Sequence, residues 1–294
     1  MAKSVLEQIT VLSGKGGTGK TTISSALAQL SSPTSLMADC DVDAPNLHLL
    51  LNPKNLSSEQ FFSGKLAIKN QDRCINCGKC LDLCRFDAIS INYEINHSSC
   101  EGCGACAWIC PEEAISMEIQ LCGEIYEAET RFGPMVHARL KIGAENSGKL
   151  VSEVIQKSHI KANQLKKKLI IVDGSPGIGC PVIAALTNAK LVIIVVEPTK
   201  TAVHDMKRII GLIRFFKLPL AIIINKSTIN RTQRSNIINF CENEKISILG
   251  ELPYNLEIFK AMTNRKTVIE YKVNGLEVLL TDIWLKIREL IHLE

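Results

Sequence analysis

Long hydrophobic runs are absent from this chain of 294 residues. The run Leu191–Val196 is typical, and it is far shorter than the roughly 18–20 apolar residues that a membrane-spanning helix needs. The N-terminal stretch also lacks the basic segment, the apolar core and the small-residue cleavage site of a secretory signal. We therefore expect a cytoplasmic protein with no stable membrane anchor.

A dense basic patch is also missing. The formal net charge of +4 is thinly spread, and its one compact run is Lys166–Lys168. Nucleic-acid recognition needs a clustered basic face, whereas a short lysine run is typical of a solvated helix end. We expect no nucleic acid among the partners.

The chain does contain short apolar strands that alternate with helix patterns. Nearly continuous apolar strands of this kind predict a parallel sheet that is covered on both faces. The expected class is α/β, with a doubly wound, mainly parallel sheet. Its predicted strands are Gln8–Ser13, Ser35–Asp43, Lys168–Ser175, Leu191–Pro198, Leu220–Asn225 and Ile246–Pro253.

A glycine-rich loop joins the first strand to the first helix. Its sequence, GKGGTGKT, matches the phosphate-binding pattern G-x-x-x-x-G-K-[ST] in the strand-to-helix context that makes the match credible. We expect backbone amides to surround the phosphates, Lys20 to meet the β and γ oxygens, and the Thr21 hydroxyl to bind Mg. ATP and Mg are the predicted ligands, and the nucleotide-binding candidates are Gly14, Lys15, Gly16, Gly17, Thr18, Gly19, Lys20, Thr21 and Thr22.

Cysteine is the second conspicuous feature, with 12 residues. Eight of them form two copies of C-x2-C-x2-C-x3-C, a spacing in which three thiolates bind one cluster and the fourth reaches the other. Zinc is the alternative for any C-x2-C pair, but two full quartets with duplicated flanks favour two 4Fe-4S clusters. The predicted ligands are Cys74, Cys77, Cys80 and Cys110 for the first cluster, and Cys84, Cys100, Cys103 and Cys106 for the second.

The cysteine block interrupts the alternating pattern of strands and helices. It has too little apolar material for a core of its own, and a unit of this size normally needs metal to hold it together. We predict a small α+β ferredoxin-like domain of the bacterial type at residues 65–118, inserted into an ATPase domain at 1–64 and 119–294. Residues 122–150 are expected to connect the insert to the sheet.

The loop carries an early lysine, Lys15, that the general pattern does not require. Together with DCDVDAPNLHLLL, DGSPGIGCPVI and IIINKS, it resembles the deviant Walker A P-loop ATPases of the MinD superfamily, which include MinD, ParA, Mrp-type carriers and the nitrogenase iron protein. The resemblance extends to members with an inserted ferredoxin domain. It implies an ATP-dependent homodimer, or a heterodimer with a paralogous ATPase.

The resemblance also implies roles for single residues. Lys15 would cross to the partner's nucleotide and Asp41 would orient the attacking water, so these two are the catalytic candidates. Thr21, Asp41 and Asp173 would hold Mg, and Asn225 would contact adenine, with ATP favoured over GTP because no N-K-x-D motif follows.

Two functions remain open at this stage. The first is an ATPase whose dimer gates electron transfer or iron-sulfur or metal-cofactor assembly, with a redox partner or an apo metalloprotein as acceptor. The alternative is a MinD- or ParA-like positioning ATPase with structural or redox-sensing clusters. A bridging cluster or extra metal site at Cys180 and Cys122 is a further hypothesis, and core packing is expected for the C-terminal helix.

Overall fold

A computed structural model describes residues 6–293, apart from the side chain of Asn55. Residues 1–5 of the stretch considered for a secretory signal, and Glu294 of the predicted C-terminal helix, lie outside the described residues.

Nine strands and ten helices follow one another in the described part of the chain. The strands are β1 (Glu7–Ser13), β2 (Ser35–Asp39), β3 (Lys54–Lys69), β4 (Ile115–Thr130), β5 (Gly133–Leu140), β6 (Leu169–Pro176), β7 (Leu191–Val196), β8 (Leu220–Ile224) and β9 (Ser247–Glu251). The helices are α1 (Lys20–Leu30), α2 (Leu47–Leu51), α3 (Lys79–Leu83), α4 (Ala105–Ile109), α5 (Ser147–Gln164), α6 (Cys180–Ala185), α7 (Lys200–Phe215), α8 (Arg231–Asn243), α9 (Glu257–Thr263) and α10 (Leu276–Ile291).

The strands form one sheet in the order β3-β4-β5-β2-β6-β1-β7-β8-β9. All pairs from β5 to β9 in that order are parallel. The predicted α/β class with a mainly parallel, helix-covered sheet is therefore confirmed.

The chain divides into two compact units. The first comprises residues 6–59, 125–139 and 147–293 of the described chain, and the second comprises 60–124 and 140–146. Three of the boundaries between the units fall inside strands, namely β3, β4 and β5.

Alternate residues of the central strands supply two separate apolar cores in the first unit. On β7, Ile193 belongs to the core beneath α1 and α10, while Ile194 belongs to the core beneath α7 and α8. Side chains alternate between the two faces of a strand, so a continuous apolar run can bury residues on both. This explains why β7 is apolar along its whole length and why β6 begins with the apolar run Leu169–Val172.

Residues 122–150 differ from the sequence prediction. The segment expected to be a connection contains the end of β4, all of β5 and the start of α5. Burial along β4 is uneven, with buried, half-buried and exposed positions intermixed. The chain there has no continuous apolar run or clean alternation, which is why the strand signal is weak in the sequence.

Helix α10 packs on the core. Leu280, Ile283 and Ile287 are almost completely buried, whereas Leu290 is 45% exposed. The core-packing expectation for this helix is met, and within residues 6–293 no helix combines the length and the apolar character that crossing a membrane would require.

Replacing Ile287 with alanine should lower the free energy of unfolding by about 2–5 kcal/mol, because it leaves a cavity in a closely packed core. Leu290→Ala on the same helix is the matched control and should cost less than about 1 kcal/mol, since that side chain is already partly in water. Urea unfolding followed by circular dichroism measures both. Equal losses in the two variants would contradict the assigned packing.

A stack of aromatic rings lies beside β5 in the first unit. The His137 ring is stacked between His48, with centroids 5.5 Å apart, and Tyr126, at 4.9 Å. Burial, together with the neighbouring His48, lowers the pKa of His137 to about 4. Its Nδ1 and that of His48 are buried with no hydrogen-bond partner in the described part of the chain.

This buried neutral histidine predicts acid sensitivity. The unfolded chain takes up the proton at pH values near 6.5 and the folded chain does so only near 4, so the stability present above pH 6.5 is lost as the pH falls toward 4. His137→Phe should therefore remove about 2 kcal/mol of the stability change between pH 7.5 and pH 5. Urea unfolding at both pH values tests this, with exposed His204→Gln as the control; an unchanged pH dependence in His137→Phe would refute it.

Candidate functional site

The glycine-rich loop lies between β1 and α1, next to the end of β6. Gly17 and Gly19 adopt positive φ angles of 79° and 95°, a backbone region that favours glycine. A Cβ atom on Gly19 would also collide with the amide of Asn225. The loop can therefore curl as it does only with glycine at this position.

Lys20, the first residue of α1, lies among acidic side chains. Its Nζ is 3.1 Å from Oδ1 of Asp173 and 3.5 Å from Oδ2 of Asp41, and its side chain is only 7% exposed. Burial alone would lower the pKa of Lys20, but Asp173, Asp41 and Asp39 outweigh it and raise the pKa. The lysine is therefore charged and held toward the end of β6.

Asp39 ends β2 and is completely buried. Burial and the nearby Asp173 raise the pKa of its carboxyl group well above the ordinary range. The carboxyl oxygens accept hydrogen bonds from the backbone N–H groups of Asp41, at 3.1 Å, and Leu47, at 3.2 Å. Asp39 thus fixes the loop that carries Asp41. Burial raises the pKa of Asp41, although the nearby Lys20 opposes this shift.

Two polar atoms near the loop are left without a partner. Oδ1 of Asp173 accepts hydrogen bonds from Lys20 and from the Ser24 hydroxyl at 2.9 Å, but Oδ2 is buried and bonds to nothing in residues 6–293. The same is true of the Thr18 hydroxyl oxygen. Buried polar atoms are normally satisfied, so these two suit a bound polar group such as a hydrated cation or a phosphate.

Lys15 forms an ion pair and hydrogen bonds with residues of the same chain. Its Nζ is 2.8 Å from Oε1 of Glu197 and donates to the hydroxyls of Thr199 and Thr201, both at 3.3 Å. Lys226 donates to the other Glu197 oxygen at 2.8 Å. Burial alone would raise the pKa of Glu197, but the hydrogen bonds from the two lysines lower it, so this acid is ionised.

A cleft of about 940 Å³ opens beside the loop. Asn225 follows β8, is buried, and donates from Nδ2 to the Thr18 carbonyl oxygen at 2.7 Å. Exposed apolar side chains, including Tyr254 and Phe259, form part of the wall. Of the predicted site residues, the cleft is lined by Gly16, Gly17, Thr18, Gly19, Lys20, Thr21, Thr22, Asp41 and Asn225.

The second unit gathers eight cysteines around two small cavities. None of these cysteines is in a disulfide, and all are exposed or half-buried. The backbone N–H of Ala114 donates to Sγ of Cys110 at 3.3 Å. One cavity is lined by Cys74, Cys77, Cys80 and Cys110, and the other by Cys84, Cys100, Cys103 and Cys106.

The remaining two cysteine candidates have different surroundings. Cys122 is completely buried in the second unit and donates its thiol to the Ser63 carbonyl oxygen at 2.9 Å. Cys180 begins α6 in the first unit and is exposed. Among residues 6–293, no three His, Cys, Asp or Glu side chains come close enough to share a single metal ion.

Three residues at or near the glycine loop are not indicated by sequence patterns. A serine inside a helix carries no motif, so the sequence does not indicate Ser24. Glu197 and Lys226 follow apolar strands, which is a weak signal, and their pairing depends on β7 lying next to β8. Their common contact with the glycine loop appears only in three dimensions, where Lys226 also donates to the Gly17 carbonyl oxygen at 2.8 Å.

The chain is similar to a known protein family and to curated proteins. Residues 9–268 match the model of the CobQ/CobB/MinD/ParA nucleotide binding domain. The uncharacterized protein MJ0578 of Methanocaldococcus jannaschii is 39% identical over 263 residues, which are 89% of each chain.

Solved structures share the fold at low sequence identity. The septum site-determining protein MinD of Pyrococcus horikoshii, complexed with Mg-ADP, aligns with a TM-score of 0.59 at 18% identity over 97% of each chain. The ATP complex of Cyanothece McdA(D38A) gives a TM-score of 0.60 at 14% identity, over 98% of this chain and 97% of that one. The chain therefore has a MinD-like P-loop fold, and it belongs to the CobQ/CobB/MinD/ParA nucleotide-binding family of ATPases.

Proposed function

We propose that the chain is an ATP-hydrolysing switch in which an ATP-bound dimer gates electron transfer or iron-sulfur or metal-cofactor assembly through two 4Fe-4S clusters. The observation that carries the iron-sulfur part is the gathering of eight cysteines, free of disulfides, around two cavities of four each. Family membership supports the ATPase part.

The residues of the first unit fit ATP and Mg. Lys20 is charged and buried at the start of α1, where it and the backbone amides can meet phosphate oxygens. Oδ2 of Asp173 and the Thr18 hydroxyl have no partner in the described chain, as expected of groups that serve a hydrated cation and a phosphate. Thr21 and Asp41 complete the proposed Mg site.

The proposed hydrolysis assigns one task to each of two side chains. Asp41 orients the attacking water, and its position is fixed by the hydrogen bond from its N–H to Asp39. Lys15 stabilises charge on the nucleotide of the partner subunit. To do so it must exchange its contacts with Glu197, Thr199 and Thr201 for phosphate oxygens. Dimer closure and rearrangement of the loop are thus the same event in this proposal.

The residues of the second unit fit 4Fe-4S clusters. Thiolates are the protein ligands of such clusters, which act as one-electron carriers when bound. A cluster binds each thiolate through a different iron, so its four cysteines stand further apart than the ligands of a single ion would. Gly78 and Gly104 have positive φ angles at the starts of α3 and α4, which lets the ligand loops turn tightly.

The comparisons favour a second candidate. The similar solved structures include MinD proteins, McdA and a ParA family ATPase. A positioning or partitioning ATPase with clusters as structural or redox-sensing elements is therefore the alternative. Those structures are less than 20% identical to this chain, so their similarity shows the fold alone. The cysteine cavities are a feature of this chain itself, and for that reason we rank the iron-sulfur function first.

Lys15→Ala should abolish ATP-dependent dimerisation but leave ATP binding within about twofold, because the lysine acts on the partner's nucleotide. Light scattering measures the dimer and equilibrium dialysis measures binding. Lys200→Ala, which removes an exposed lysine at the start of α7, is the control. Unchanged dimerisation in Lys15→Ala would remove the proposed role.

An anaerobic redox titration with and without ATP tests the function itself. The reconstituted protein should hold about eight iron atoms per chain, and about ten per chain in the dimer would indicate a bridging cluster at Cys180. A fall of potential with ATP supports electron delivery, and ATP-dependent transfer of iron to an apo acceptor supports assembly. If iron binds but potential, lability and acceptor affinity are all indifferent to ATP, the positioning alternative replaces the first proposal.

A further inference from the structure

A lysine of the second unit lies at the first cysteine cavity. Lys69 is the last residue of β3 and lines the cavity together with Cys74, Cys77, Cys80 and Cys110. Its Nζ is buried and has no hydrogen-bond partner among the residues that the structure describes. A buried ammonium group without a partner is unfavourable, and an anionic neighbour at this position would stabilise it.

The second cavity differs in its buried charge. Besides its cysteines and glycines, the second cavity is lined mostly by apolar residues. Strand β3 contributes Lys69 to the lining of the first cavity and Ala67 to the lining of the second. The charged lining residue of the second cavity is Glu101, which is exposed, as are Lys79 and Glu112 at the first cavity. Exposed charges are screened by water, so the buried ammonium of Lys69 is the main electrostatic difference between the two cavities.

We propose that Lys69 is a buried countercharge and hydrogen-bond donor to the cluster held by Cys74, Cys77, Cys80 and Cys110, and that it makes this cluster the more easily reduced of the two. The proposal rests on the proposed iron-sulfur function. A cluster with four thiolates carries a net charge of about −2, and adding one electron increases that charge. A nearby buried cation stabilises the reduced form more than the oxidised form, because the attraction grows with the negative charge.

The proposal implies that the two clusters of the second unit are reduced in a fixed order. One electron supplied by an external donor rests at equilibrium on the first cluster, and the second cluster is reduced only at lower potential. Lys69 is a positioning residue in this scheme, since it tunes the cluster without binding iron. No lysine or arginine lines the second cavity among the described residues, so the two cysteine cavities are electrostatically unequal.

The test is a potentiometric titration followed by electron paramagnetic resonance on reconstituted full-length protein. Lys69→Met, which keeps the length of the side chain but not its charge, should lower one of the two midpoints and leave the other unchanged. The expected change is about tenfold in the ratio of reduced to oxidised cluster at fixed potential, or about 59 mV for a one-electron couple. Lys54→Met, which changes an exposed lysine at the start of the same strand, is the matched control and should move neither midpoint measurably.

A second pair of variants identifies the cluster and guards against misfolding. Cys103→Ser, which disables the second cysteine set, should retain the higher-potential signal. Should Lys69→Met lose iron, Lys69→Arg must restore about eight irons and both midpoints, because it restores the charge.

The outcomes separate the two proposals. Wild-type protein that binds no iron after reconstitution would overturn the iron-sulfur function. Wild-type protein with about eight irons, and a Lys69→Met variant whose two midpoints are unchanged or shift together, would overturn the Lys69 assignment while the function stands. Loss of iron from both Lys69→Met and Lys69→Arg would likewise overturn it.

Discussion

The buried contact between Lys20 and Asp173 is the constraint on which the nucleotide cleft depends. Parallel pairing sets Val11 of β1 beside Asp173 of β6, so the chain leaving β1 has to turn over the end of the neighbouring strand. The helix that follows then delivers Lys20 to the carboxylate. Breaking a buried charge pair costs about 3–5 kcal/mol, because the remaining charge has no partner. The glycine loop, α1 and Asp173 are therefore held together in the protein without a ligand.

Glu197 connects the glycine loop to the ends of two further strands. It binds Lys15 on one oxygen and Lys226 on the other, and Lys226 also holds the Gly17 carbonyl oxygen. The glycine loop is thereby tied to the ends of β7 and β8. In the proposed dimer the phosphates of the partner compete with Glu197 for Lys15, so the strength of this ion pair sets part of the free energy of closure.

The second unit differs from the first in what stabilises it. Helices α3 and α4 have five residues each and bury none of them, so they gain little from the hydrophobic effect. A unit of this kind is typically held by its metal ligands, which agrees with the proposed clusters. The buried, unpartnered Nζ of Lys69 adds a charge that the cysteine spacing by itself does not reveal.

The sequence by itself determined the glycine loop, the apolar parallel strands and the two cysteine sets, because each depends on residue types at short, regular spacing. It did not reveal β5 or the full length of β3, because neither segment carries the regular apolar pattern that indicates a strand. The tertiary structure alone decided that Lys15 pairs with Glu197 and that Lys69 lies at one cavity, since both arrangements depend on where the strands place the loops that follow them. Such pairings follow from strand order and register, which a linear pattern of residues does not encode.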